Sequence, residues 1–130
     1  MAKNLKDIVI VSALRTPIGK LKGIWSKHGA PELGAKVILE VLNQSKVPSS
    51  DIDEIIMGQV LTGNTGQNPA RQAAMMAGIP IEKTAYIINQ VCGSGLRAVV
   101  AGYQSILSGD CEAVIAVSYT HLRAHETCTN

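Results

Sequence analysis

Apolar and polar positions fall in blocks along the chain, and each block has the period of one kind of element. Residues 7–13 are apolar and β-branched almost without break, as a strand buried on both faces would be. A loop follows, with Arg15-Thr16-Pro17 and Lys20-Leu21-Lys22-Gly23. From Pro31 onward, Leu33, Val37 and Val41 recur every four residues with Ile38 and Leu42 beside them, which predicts one face of a helix. Turn-rich sequence from Ser45 to Asp51 leads to a second strand over 54–61. The next helix carries its own punctuation: Asn68 suits a cap, Pro69 the first turn and Gly78 a left-handed exit. A third strand over 84–91, a third helix over 94–108 that stops at Gly109, and a fourth strand over 112–117 complete the series. Strands alternating with helices of this length predict an α/β fold: a mostly parallel mixed sheet, right-handed crossovers and helices on both faces.

The third helix breaks the amphipathic pattern. Leu96, Val99, Val100, Tyr103, Ile106 and Leu107, with Ala98 and Ala101, spread around most of its circumference, whereas the second helix is expected to expose Arg71 and Gln72. A helix apolar nearly all round is expected to be covered on more than one side. One layered domain seldom supplies that cover, so the fold is expected to be incomplete.

Composition narrows the class. At 130 residues there is room for one domain. Hydrophobic residues at 46% against charged ones at 17% suit a buried α/β core rather than a disordered segment. A net charge of +2, with no basic run interleaved with aromatics, gives no reason to expect a nucleic-acid partner. Apolar runs such as Ala98-Val99-Val100-Ala101 fall far short of the roughly 20 residues that cross a bilayer, so no membrane partner is expected. The first residues lack the pattern of a secretory or transit signal, and cysteines at 92, 111 and 128 form no disulfide framework. A cytoplasmic location is the resulting expectation.

Chemistry concentrates where the third strand meets the third helix, at Asn89-Gln90-Val91-Cys92-Gly93-Ser94-Gly95-Leu96-Arg97-Ala98. A cysteine in the first turn of a helix meets unpaired backbone N–H groups and the positive end of the dipole, which favour a nucleophilic sulfur. Gly93 and Gly95 would clear side chains from around that sulfur, and the backbone N–H of Cys92 could donate to a developing oxyanion. The plain alternative is a buried structural cysteine beside a Gly-rich helix start. Two sharper alternatives fail on placement. Gly93-Ser94-Gly95-Leu96-Arg97-Ala98 matches a dinucleotide fingerprint, but Asp110 and Glu112 precede the following strand instead of ending it. Ser94 as a hydrolase nucleophile would need glycines where Cys92 and Leu96 stand.

The block from Asn89 to Val99 resembles the acyl-enzyme signature of the thiolase family. Arg15-Thr16-Pro17-Ile18-Gly19-Lys20, Met57-Gly58-Gln59-Val60-Leu61 and Gly66-Gln67-Asn68-Pro69-Ala70-Arg71-Gln72 are similar to further blocks of that family, in its order. The resemblance spans about Asp7 to Ala116 and is greatest to acetoacetyl-CoA thiolases. It implies the N-terminal half of a thiolase-like fold, in which two similar halves sandwich their third helices between two sheets. It also implies an acyltransferase in which Cys92 takes an acyl group from acyl-CoA, with Gly93 and Gly95 supporting the loop. Coenzyme A thioesters would then be substrates, with no permanently bound cofactor, and the complete enzyme would be a homo-oligomer. The family's activating histidine and second cysteine have no match in this sequence. Residues 1–117 are thus expected to form the half-domain. Residues 118–130 depart from the family pattern and are expected to carry no function; His121, His125 and Cys128 there lack a fourth partner for a metal site.

Overall fold

Local sequence accounts for each helix end in the computed structural model, which describes residues 7–119. Helix α1 (Ala30–Ser45) has Pro31 and Glu32 in its first turn and closes on Lys46, whose φ of 60° turns its N–H back to the Leu42 carbonyl. Helix α2 (Pro69–Met76) is capped by Asn68, whose side chain accepts from the Arg71 N–H at 3.2 Å, and the chain leaves it through Gly78 at φ 75°. Helix α3 (Ser94–Ser108) stops at Gly109, φ 89°. The cap at Asn68, the exit at Gly78 and the stop at Gly109 fall where the sequence puts them.

Three strands, β1 (Glu54–Gly58), β2 (Thr84–Ile88) and β3 (Val114–Ser118), form one sheet in the order β2-β1-β3. Both pairings are parallel, with Glu54 opposite Thr84 on one side and Val114 on the other. The antiparallel member of a mixed sheet is not among the described residues. From β1 the chain steps outward to β2 through α2, then back past β1 to β3 through α3. Crossovers of one hand taken in opposite directions place their helices on opposite faces, as observed. Ile55, Met57, Ala85, Ile87, Ile115 and Val117 face α1 and α2 and build the main core with Ile38, Ala70, Ala73 and Ala74. The alternate positions face α3: Gly102 lies so close that a Cβ there would meet Val114 Cγ1 at 3.0 Å and Ile56 Cδ1 at 3.9 Å.

Two expectations are corrected. Residues 7–13 form no strand, and Val9, Ile10 and Val11 are 70%, 78% and 67% exposed. A β-branched run favours a pleated, half-buried surface only where a neighbouring strand offers one. Among the described residues none does; Ser12 Oγ bonds instead to Gln44 Oε1 on α1 at 2.6 Å. Arg71 and Gln72 are half-buried rather than exposed. The guanidinium donates to the carbonyls of Ile81 (2.6 Å) and Lys83 (2.7 Å), and the Gln72 amide donates to those of Thr65 and Gln67, so both residues tie loops to α2. The strands also run shorter than expected at 59–61 and 89–91. Ser118 ends β3, and Tyr119 continues it with an N–H bond to the Gly58 carbonyl. The rest of the expected tail, with His121, His125 and Cys128, lies outside the described residues.

Candidate active site

The turn carrying Cys92 is built by the end of β2 and the start of α3. Between Ile88 and Ser94 the chain reverses over residues 89–93, and Val91 adopts φ 49°, a left-handed conformation rare for a β-branched side chain. Cys92 is exposed. It stands one residue before the cap position, which Gly93 occupies, not inside the first turn as expected. It still lies two residues before the first residue of a 15-residue helix, near that helix's positive end.

Side chains flank this turn with hydrogen bonds. Ser94 is buried, and its hydroxyl accepts from the Gln90 N–H at 2.9 Å and donates to the Val91 carbonyl at 2.6 Å. Asn89 Oδ1 accepts from the Val91 N–H at 3.0 Å, while its amide donates to the Val60 carbonyl at 3.1 Å. A buried hydroxyl engaged on both sides is no hydrolase nucleophile, so that alternative also fails on geometry.

Glycines let α3 sit directly on the sheet. At Gly58 a Cβ would lie 2.6 to 2.7 Å from the backbone of Ser94 and Gly95. At Gly95 a Cβ would lie 2.6 Å from Ser118 Oγ, so close helix–sheet contact is what this glycine provides, rather than room around the sulfur. Gly93 borders the turn itself, where a Cβ would meet the Gln90 carbonyl at 3.3 Å.

The opposite, amino-terminal edge of the sheet holds the other concentration of ionisable groups: Asp53, Glu54, Glu82, Lys83, Asp110 and Cys111 line an open groove there. The backbone N–H groups of Glu112 (2.8 Å) and Ala113 (3.2 Å), helped by Lys83, hold the Asp53 carboxyl below the usual carboxylate range. Burial pushes the Cys111 thiol up, and Ser105 Oγ donates to its sulfur at 3.1 Å. Asp110 and Glu112 are confined to this edge, far from Gly93-Ser94-Gly95, which removes the dinucleotide reading. Among the described residues no group of three or more His, Cys, Asp or Glu side chains could hold a metal ion.

Residues 8–130 match the family described as the thiolase N-terminal domain. The chain belongs to the thiolase family. It is 50% identical over 120 residues to an acetyl-CoA acetyltransferase of Cupriavidus necator, covering 92% of this chain and 30% of that protein. It is 53% identical over 110 residues to one of Rhizobium meliloti, covering 85% of this chain and 28% of that protein. Among solved structures, a thiolase from Ascaris suum in complex with coenzyme A superposes with a TM-score of 0.85 at 39% identity, over 87% of this chain and 30% of that one. The chain therefore spans about 30% of the length of these thiolases. The sequence pattern singles out Cys92 as the candidate but gives Asn89, Ser94 and Gly58 no structural part. The available signal was an Asx turn followed by a serine at a helix start, two groups that bond readily to nearby backbone.

Proposed function

We propose that this thiolase segment carries the acyl group of an acetyl-CoA C-acetyltransferase on Cys92. One observation carries the reading: in a thiolase-family chain, the cysteine of the acyl-enzyme signature stands exposed on a turn before a helix N-terminus. In the proposed first half-reaction Cys92 Sγ attacks the thioester carbonyl of acyl-CoA. The C–S bond to coenzyme A breaks, coenzyme A leaves with the thiol proton, and the acyl group stays as a thioester on Cys92. The Cys92 N–H serves the oxyanion, Gly93 keeps the turn open, and Gly95 holds α3 on the sheet. In the second half-reaction acetyl-CoA loses an α-proton and its enolate carbon attacks S-acyl-Cys92. The C–C bond forms, the acyl C–S bond to Cys92 breaks, the Cys92 sulfur regains a proton and 3-ketoacyl-CoA leaves. In reverse, coenzyme A cleaves a 3-ketoacyl-CoA. The coenzyme A bound to the Ascaris suum thiolase supports thioester substrates. A homo-oligomer and a cytoplasmic location belong to the same proposal; no described helix is long and apolar enough to cross a membrane.

Residues 1–130 alone are expected not to turn over, because the activating histidine and second cysteine have no counterpart here. The test is a graft of residues 7–119 into the matching segment of the Cupriavidus necator enzyme. Acetyl transfer is expected in the graft, with an acetylated Cys92 peptide, and Cys92→Ala is expected to lower kcat by about a thousandfold or more. Transfer that survives Cys92→Ala would remove the assignment. A second reading, a non-catalytic half-domain that only self-associates or binds a thiolase subunit, is favoured by one feature, the exposed apolar face of α3. An inactive but soluble graft that assembles normally would support it.

A further inference from the structure

We propose that Ser94 and Asn89 are positioning residues that hold Val91 in its left-handed conformation and thereby set where the Cys92 thiol points. The inference rests on Cys92 being the acyl carrier. Left-handed backbone disfavours a β-branched residue, and it persists only when its surroundings fix it. Packing does not fix Val91, whose side chain is 64% exposed. Hydrogen bonds do. The Val91 N–H is taken by Asn89 Oδ1, and its carbonyl is taken twice, by Ser94 Oγ at 2.6 Å and by the Ser94 N–H at 3.1 Å. Ser94 Oγ also accepts from the Gln90 N–H, so one hydroxyl closes the turn from both sides of Val91.

The anchors of these two side chains are themselves fixed. Ser94 is 4% exposed, which keeps water from competing for its oxygen, and Gly58 beneath it admits no side chain that could lift α3. Asn89 reaches across to the Val60 carbonyl, just beyond β1. The turn is thus tied to the carboxyl end of β1 as well as to its own helix. Cys92, next in the chain and exposed, thereby inherits a fixed backbone direction, as a nucleophile needs if its sulfur is to meet a carbonyl along one line.

The experiment compares alkylation of Cys92 and Cys111 by iodoacetamide, read as separate peptides from one sample of the graft described above, in which the rest of the enzyme covers α3. Ser94→Ala removes both hydrogen bonds of the hydroxyl and is expected to slow Cys92 by about fivefold or more, the worth of at least one neutral hydrogen bond, with Cys111 unchanged. Asn89→Ala, at an exposed position, should act in the same direction, and Ser94→Thr, which keeps the hydroxyl, should restore the rate. In a Val91→Gly background the Ser94→Ala effect should fall below about twofold, because glycine takes the left-handed conformation without support. An unchanged Cys92 rate in both alanine variants would overturn the proposal. So would Cys92 and Cys111 changing together, which marks general loosening, or an undiminished effect with Gly at 91. Failure of the reading beneath looks different: the unsubstituted Cys92 would alkylate no faster than Cys111, and the graft would transfer acetyl without it.

Discussion

At the scale of single residues, the two described cysteines illustrate how position decides chemistry. Cys92 is exposed before a helix N-terminus; Cys111 is half-buried, and burial raises its thiol above the ordinary value of 9.0. Only the thiolate reacts. At neutral pH limited iodoacetamide is therefore expected to label Cys92 first, and the Cys111 rate should keep rising with pH beyond the ordinary thiol range. Peptide mapping across a pH series measures both; equal labelling at neutral pH would count against the nucleophile assignment. Gly58 gives a second residue-scale prediction. A methyl group there would meet backbone, which cannot rotate away, so Gly58→Ala must lift the start of α3 or bend β1. Overpacking of this kind costs about 1–3 kcal/mol, and an unfolding free energy from urea melts lowered by that amount is the expected outcome. No change would mean that α3 can slide on the sheet.

At the scale of elements, one carboxylate gathers the amino-terminal ends of all three strands. Asp53 precedes β1, bonds to Lys83 before β2, and accepts from the Glu112 and Ala113 N–H groups before β3. Its folded pKa lies below 3.8, so the group adds stability that is fully present above that unfolded value and is lost as pH falls through the lower folded one. Asp53→Ala is expected to cost on the order of 1–2 kcal/mol at neutral pH, since two backbone donors lose a charged acceptor that is itself partly solvated. Urea melts of the variant and the unsubstituted chain should converge as pH falls through that lowered folded pKa and the carboxylate takes up its proton; a difference that stays constant with pH would assign the effect to shape rather than charge. Elements of this kind were legible from local chemistry. Helix limits came from Asn68, Gly78 and Gly109, and the parallel alternation from strand–helix spacing, because caps and periods act over a few residues. Residues 7–13 were misread because strand formation depends on a partner strand, which local sequence does not contain. The motif marked Cys92 as the candidate nucleophile. The Ser94 and Asn89 contacts were not legible, because the same side chains suit caps, turns or solvent until the backbone around them is fixed.

At the scale of the whole molecule, α3 presents two unlike faces. Its inner face is made of small residues, Ala98 and Gly102, pressed on the sheet. Its outer face leaves Leu96 73%, Tyr103 49%, Val99 42% and Leu107 41% exposed, and Val9, Ile10 and Val11 add a second apolar stretch. Monomeric soluble proteins rarely leave such contiguous apolar surface uncovered. At roughly 25 cal/mol per Å², a few hundred Å² left in water forfeits several kcal/mol. That is comparable with the entire stability of a typical domain. The 130-residue chain is therefore expected to aggregate or to pair with itself through α3. Freshly purified chain should scatter light above the monomer value and bind an apolar dye. Replacing Leu96 and Tyr103 together by Lys should lower both signals, because neither side chain contributes to the buried core and each change places charge at the centre of the open face. A stable, dye-silent monomer of the unsubstituted chain would show that this face is covered from within, and the incomplete-fold reading of α3 would then fail.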